Sequence, residues 1–425
     1  GKTARVVLRN QQPVISLSKD ASDNLWIGFL NGGAKRISDQ RFGKSWEPEF
    51  VKQKSVTKVF QSSDGSFWFS TLESGVYYLP DLSIMNYNIP GDSRIRSVVS
   101  MKKAVVVSDK TGNLRFYDKK TRGIFHTKSF DRSIFSLFCD SKNNLWISYY
   151  SAITLYNSDL SLKKSFEGRI ANDFHEDEDS TVWTLGSMMI FNFDLQQNII
   201  REFSADDVYR AILVKDTSVF LDVRIGLNVR NKNFEWETSP AQFANFKISN
   251  LVDLNDTTLL VPTMGNGFVI VDQRSGILMR YNRQSRFIAD NIYAVLRKDG
   301  LLWIGTENGL AVTSVKSLLE GNPDFDYLTK KSGLVSNSIN FLAEGHNAVW
   351  AFSDDGFSVI PDAFDRFANK KPSFFIKKIS VNGSLISGPE TIDLPHDQNN
   401  IRVEFGFISF NNQNIFLGHR INSGN

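Results

Sequence analysis

Four loops in this sequence abandon a pattern that the rest of the chain keeps, and their residue types suit recognition chemistry. Tyr149-Tyr150-Ser151-Ala152 offers aromatic faces for stacking. Asp222-Val223-Arg224 pairs a carboxylate acceptor for hydroxyls with a forked guanidinium that fits a carboxylate or sulfate. Gly186-Ser187-Met188-Met189 and Pro262-Thr263-Met264-Gly265-Asn266 add thioether and amide groups. A loop released from a repeated turn is free for binding, so the candidate ligand-contacting residues are Tyr149, Tyr150, Asp222, Arg224, Met264 and Asn266.

Other clusters point to less. The acidic run Asp173, Glu176, Asp177, Glu178 and Asp179, with His175, lacks the spacing of a calcium loop, and its carboxylates fan outward from a strand and hairpin. His126, His346, His396 and His419 show no pairing at zinc-ligand spacing. No Gly-x-Ser-x-Gly elbow, His-Glu-x-x-His, phosphate loop or Ser-x-x-Lys motif occurs. The expectation is no metal, no cofactor and no catalytic residue in this stretch of chain. A carboxylate pair that meets only across space escapes such a search.

The elements that carry these loops repeat. Six of the eight tryptophans fall in one local pattern, at Trp26, Trp68, Trp146, Trp183, Trp303 and Trp350, as in Asn24-Leu25-Trp26-Ile27-Gly28. Val106, Phe220 and Leu260 fill the same place in three further segments. The nine centres, near 26, 68, 106, 146, 183, 220, 260, 303 and 350, recur about every forty residues, the period of β-propeller blades. Each unit starts with an alternating segment such as Ile134-Phe135-Ser136-Leu137-Phe138, which reads as an inner strand.

Turn residues punctuate the units. Asp23, Gly65, Asn143, Gly300 and Asn347 stand three residues before the Trp, with Asp179 in the corresponding turn of the fifth unit. These types tolerate the left-handed backbone of a tight hairpin. Gly33, Gly75, Gly112, Gly226, Gly267, Gly309 and Gly356 mark the second turn. Outer segments such as Ile84-Met85-Asn86-Tyr87 supply the fourth strand and lead to the next blade. Asp20, Asp140 and Asp177, six residues before a Trp, read as turn carboxylates that accept backbone N–H groups. A Trp at one fixed place in every blade reads as packing between blades, not as a binding platform.

The expected fold is all-β: four-stranded blades over residues 1–362, a linker at 363–372, and an incomplete immunoglobulin-like sandwich over 373–425. Asn382-Gly383 is a hairpin signal within that last part. A ring of seven to nine blades is open, closed either by Ala4-Arg5-Val6-Val7-Leu8-Arg9 or by the last seven units alone, with the first two belonging to another ring.

Bulk composition excludes some classes. Lys and Arg total 49 against 46 Asp and Glu, so no one-signed field argues for nucleic acid or an anionic membrane. The single cysteine, Cys139, rules out an internal disulfide framework and reads as a buried small hydrophobe. No run of about 18 apolar residues is present.

The unit beginning Asp140-Ser141-Lys142 and ending at Trp146-Ile147, with its cleanest copy Asp299-Gly300-Leu301-Leu302-Trp303-Ile304-Gly305-Thr306, resembles the two-component regulator propeller repeat. Phe375-Ile376-Lys377-Lys378-Ile379-Ser380-Val381-Asn382-Gly383 and Phe405-Gly406-Phe407-Ile408-Ser409-Phe410 resemble the start of the triple-tyrosine immunoglobulin-like domain that follows such propellers. The resemblance implies the periplasmic sensor region of a Bacteroidetes-type hybrid two-component system. It implies an oligosaccharide ligand, a homodimeric full-length receptor, a following transmembrane helix and an internal histidine kinase, which together control glycan-utilisation genes. Most members of that family carry fourteen repeats in two seven-bladed rings, whereas nine are visible here. The competing readings are a propeller-fold carbohydrate-active enzyme and a protein-interaction scaffold; the Trp-Asp dipeptides of a WD-repeat ring are missing.

Overall fold

The computed structural model describes residues 12–37, 50–62, 65–80, 82–91, 94–186, 188–204, 211–215, 218–223, 226–238, 246–272, 276–362, 373–386 and 400–408. The chain divides into two compact units, residues 83–364 and residues 1–82 with 365–425.

The unit 83–364 contains seven four-stranded antiparallel sheets. We call them blades I to VII, with strands A to D from inside to outside. Their A strands are Ile95–Ser100, Ile134–Cys139, Asp173–Glu176, Ile212–Lys215, Val252–Asp253, Ile292–Lys298 and Phe341–Glu344. Blades I to VI take all four strands from consecutive sequence. Blade VII draws its D strand, Met85–Tyr87, from the start of the unit: Tyr87 pairs with Phe357, Asn86 with Ser358 and Met85 with Val359. The expectation that Ile84–Tyr87 completes the second sequence unit is therefore corrected. The chain leaves the seventh blade after its third strand, Gly356–Pro361, and the open edge of that strand takes up Met85–Tyr87 as the fourth.

Seven apolar clusters fill the seven junctions between neighbouring blades. Trp146 of blade II packs on Phe174, Val182 and Phe193 of blade III. Trp183 of blade III packs on Ile212, Val214 and Val219 of blade IV. Trp303 of blade VI meets Ile339, Val349 and Ala351. The ring closes where Trp350, Phe352 and Phe357 of blade VII meet Ile95, Val105 and Val107 of blade I. In blades I and V, Val106 and Leu260 hold the same place and pack forward on blades II and VI. A buried indole removes about 150–250 Å2 from water, worth on the order of 4–6 kcal/mol per junction before entropy is counted.

The turns behave as their residues dictate. Asp23, Asn143 and Asn347 have φ of 62, 63 and 50°, and Gly65 and Gly300 have 81 and 74°. In the fifth unit the left-handed residue is Ser180, at 59°, beside the expected Asp179.

The second unit holds sheets of three strands among its described residues. Val14–Lys19, Leu25–Phe29 and Ala34–Ile37 form one; Val56–Gln61, Phe67–Thr71 and Val76–Leu79 form another. Trp26 seals the pair against Val56, Val59, Phe67 and Phe69. Trp68 departs from the expected buried position and is half-buried, its ring 4.8 Å from Tyr78. Strand alternation explains this: Phe67 and Phe69 take the face that meets Trp26, so Trp68 points to the other face, beside exposed Phe60. A third sheet is made by Ser373–Val381, Ser384–Ile386 and Ile401–Ile408, with Asn382 and Gly383 both left-handed at the hairpin. The N-terminal closing segment 4–9, the linker and most of the tail lie outside the described residues.

Candidate functional site

In an antiparallel blade the B–C turns and the D–A connections lie at one end, and the A–B and C–D turns at the other. The described candidate residues Tyr149, Tyr150, Met264 and Asn266 fall at the first end. Tyr149 ends strand B of blade II, Leu145–Tyr149, and pairs with Ala152 across the turn. Its ring is half-buried, 5.8 Å from the ring of Phe130. Burial raises the Tyr149 phenol above its usual range, so it stays a neutral donor. Tyr150, at the tip of the turn, is 72% exposed.

Arg132 completes this corner. It lies in the D–A connection from blade I to blade II, donates from Nη1 to Ser151 Oγ at 2.7 Å, and holds its guanidinium 5.8 Å from the Tyr149 ring centroid. Its only ion pair among the described residues is with exposed Asp131, at 3.6 Å. A second pair of the same kind lies at this end, with Arg96 of blade I 5.9 Å from the Phe135 ring of blade II. Arg132 and Arg96 were not singled out in the sequence. Each contact joins two repeats, so local spacing carries no signal of it.

Met264 and Asn266 lie in the B–C turn of blade V. Met264 bridges to Asn291 and donates its N–H to Lys247 O at 2.8 Å; Asn266 N–H goes to Thr263 Oγ1 at 3.2 Å. Next to them Arg283 Nη2 and Asn291 Nδ2 converge on Glu307 at 2.7 and 2.5 Å. Among the described residues, no hydrogen bond, ion pair or ring contact joins this group to Tyr149 and Tyr150. Asp222 is on strand B of blade IV, Ser218–Val223, opposite Leu227, with its side chain outside the described set. Arg224 lies outside the described residues.

The repeated Asp and Trp residues form a different set. Trp26, Trp146 and Trp183 each donate from Nε1 to a carboxylate six residues earlier, Asp20, Asp140 and Asp177, at 3.1 Å in all three cases. The same carboxylates accept backbone N–H groups of the turn, as at Asn144 (2.7 Å) and Thr181 (2.9 Å). Burial opposes the charge of Asp20, yet hydrogen bonds from Asn24 and Trp26 and the charge of Arg36 hold its carboxyl below the ordinary range. Where the sixth residue back is Arg297 or Glu344, the indole N–H of Trp303 or Trp350 is buried with no acceptor.

One pair on the A strands also carries chemistry. Asp173 Oδ2 accepts Ile212 N–H at 3.1 Å, and His175 Nε2 lies 2.9 Å from Val214 O, so two side chains of blade III fasten the backbone of blade IV. Burial pushes the Asp173 carboxyl up to about 7, with the Ile212 N–H pulling the other way. Burial also lowers the pKa of His175 and keeps its ring neutral.

Comparison with known proteins gives a consistent picture of the fold. No family model and no curated protein matches the sequence. Among solved structures, the extracellular domain of the hybrid two component system BT3049 from B. thetaiotaomicron is similar with a TM-score of 0.69 and 16% identity, over 93% of this chain and 59% of that one. The extracellular domain of the hybrid two component system BT4673 from the same organism is similar at 0.54 and 15%, over 92% of this chain and 60% of that one. A streptogramin B lyase structure is similar at 0.50 and 13%, over 65% of this chain and 96% of that one. The chain thus spans about three-fifths of the length of the two extracellular domains. Its fold is theirs, the architecture that the repeats resemble.

Proposed function

We propose that this chain is the ligand-sensing region of a hybrid two-component sensor histidine kinase, held outside the inner membrane in the periplasm. The observation that carries the reading is the likeness to the BT3049 extracellular domain over 93% of this chain. In the proposal an oligosaccharide released from a glycan binds at the B–C and D–A end of the ring. Tyr149 and Tyr150 stack on sugar rings, and Arg132, already set against Tyr149 and Ser151, donates to a carboxylate or sulfate. Met264 and Asn266 lie at the same end, in the B–C turn of blade V, and Asp222 and Arg224 are carried in the proposal as further ligand contacts from the sequence. In the proposal the strands Ser373–Val381, Ser384–Ile386 and Ile401–Ile408 belong to the start of an immunoglobulin-like sandwich that passes the change to a transmembrane helix, in a homodimeric receptor whose kinase controls glycan-utilisation genes.

No catalytic residue is assigned, and the reading is binding without turnover. The similarity to a lyase structure makes an enzyme the second reading. Calorimetry of the purified chain against a panel of glycan oligosaccharides, with product analysis on the same samples, separates the two. Heat without product supports the sensor, and loss of that heat in Arg132→Ala and Tyr149→Ala supports the assigned corner. A new product from any oligosaccharide overturns the sensor reading, as does silence across the whole panel.

A further inference from the structure

The opposite end of the ring, where the A–B and C–D turns lie, carries two adjoining cavities that share a wall. The wall is the A–B turn of blade I, Met101–Lys103. One cavity, of about 560 Å3, is lined by Lys102, Lys103, Lys119 and Lys120 of blade I and by turns of blades VI and VII. The other, of about 360 Å3, is lined by Lys102 and Lys103 again, over an apolar floor of Met101, Phe116, Phe125 and Leu160. Lys102 and Lys103 therefore border a polar space on one side and an apolar one on the other.

The charges in this place are unevenly matched. Lys298, at the far side of the larger cavity, is neutralised by Asp362 and by Asp299 at 3.4 Å. Asp118 Oδ1 accepts the backbone N–H groups of Lys120 and Thr121, at 2.9 and 2.7 Å, and Asp118 and Glu344 are the two carboxylates lining the larger cavity that form no ion pair among the described residues. The ammonium groups of Lys102, Lys103, Lys119 and Lys120 have no ion pair among the described residues. Lys119 is half-buried, and burial lowers its pKa, with the Glu344 charge a weaker opposing influence. A desolvated ammonium without a partner is costly in the free protein, and an arriving anion relieves that cost.

The turn itself is held still. Lys102 N–H donates to Asn143 Oδ1 at 2.6 Å, Met101 N–H to Ala104 O at 2.8 Å, and Lys119 N–H to Lys103 O at 3.1 Å. The apolar side is open: Phe125 is 59% exposed, although its ring lies 6.3 Å from the buried ring of Phe116. A large apolar side chain left open beside unpaired cations matches a ligand that is apolar in one half and anionic in the other.

We propose that this turn is the centre of a second binding site, for a small organic anion made of an apolar ring or short chain that bears a phosphate, sulfate or carboxylate. The anionic group is held by Lys102, Lys103 and Lys119, and the apolar body lies on Phe125, Phe116 and Leu160. The site is separate from the Arg132–Tyr149 corner and stands whether or not that corner binds a sugar.

The test is a comparison of three probes by saturation-transfer NMR and calorimetry: benzyl phosphate, inorganic phosphate and benzyl alcohol. Benzyl phosphate binds at least about tenfold more tightly than either of the others, and its affinity falls as salt rises. Lys102→Ala with Lys103→Ala weakens benzyl phosphate by about tenfold or more. Phe125→Ala brings benzyl phosphate down to the level of inorganic phosphate, and Lys163→Ala, on an exposed outer strand of blade II, changes nothing. These side chains are open to solvent, and an unchanged melting temperature confirms that each variant is folded. The proposal is overturned if benzyl phosphate and inorganic phosphate bind alike, if the lysine variants bind as the parent does, or if Lys163→Ala weakens binding as much as they do.

Discussion

Replacement of Asp140 by Ala tests the junction between blades II and III at its polar centre. The change deletes a carboxylate that accepts Asn144 N–H at 2.7 Å, Asn144 Nδ2 at 2.9 Å and Trp146 Nε1 at 3.1 Å. Trp146 is fully buried, so its N–H has no route to water once the carboxylate is gone. An orphaned buried donor costs about 1–3 kcal/mol, and loss of hydrogen bonds to a charged group adds a similar amount, giving about 3–5 kcal/mol in all. Trp146→Phe removes the N–H together with part of the ring and costs about 2–3 kcal/mol through lost packing. A phenyl ring needs no acceptor, so the two changes couple by about 1–2 kcal/mol in a double-mutant cycle. The protein supplies its own control at Trp303, whose N–H already lacks an acceptor and whose sixth residue back is Arg297. There the cycle of Arg297→Ala with Trp303→Phe gives a coupling near zero. Urea unfolding followed by near-ultraviolet circular dichroism reads both cycles. A cost below about 1 kcal/mol for Asp140→Ala, or equal coupling in the two blades, refutes the reasoning.

Three further outcomes follow from the same geometry. Asn86→Pro removes the pairing of Met85–Tyr87 with blade VII, together with the bonds of Asn86 to Ser358 Oγ and Gly333 O, and lowers ring stability by about 3 kcal/mol in thermal melts. Gly267→Ala meets Tyr281 O at 1.9 Å from a φ of 70° and costs more than about 2 kcal/mol, whereas Gly75→Ala, with φ 73° and open space around it, costs about 1 kcal/mol; denaturant midpoints rank the two. Asp173 has a raised folded pKa, about 7, so its contribution falls as pH rises from about 4 to 7, at about 1.4 kcal/mol per displaced unit. Asp173→Asn removes that fall. His175, with a lowered folded pKa, contributes stability that is present above about 6.5 and lost as pH falls below it, so its acid-side slope survives in the Asn variant.

The blade was legible in the sequence because each of its devices is local. The left-handed turn residues and the Trp strand recur within one repeat, and the structure realises them where they were read except at Ser180, which replaces Asp179, and at half-buried Trp68. The number of sheets in the ring was not legible. It depends on which distant edge Met85–Tyr87 joins, and that segment has the pattern of any outer strand. The Asp residues six before a Trp were read only as backbone acceptors. Their second partner, the indole N–H, appears once the hairpin folds the two residues together. At the candidate site the aromatic half was visible as a broken turn at Tyr149 and Tyr150. The cation that faces it, Arg132, sits in a connection that keeps no pattern and was invisible until two repeats were placed side by side.

The most direct test of the account is hydrogen–deuterium exchange of the purified chain with and without the oligosaccharide that calorimetry selects. Slowed exchange at Phe130–Ser133 and at Tyr149–Ser151 is the predicted result, because both stretches frame the Arg132 and Tyr149 side chains at the B–C end of the ring. Slowed exchange confined to the A–B turns, with those two stretches unchanged, contradicts it.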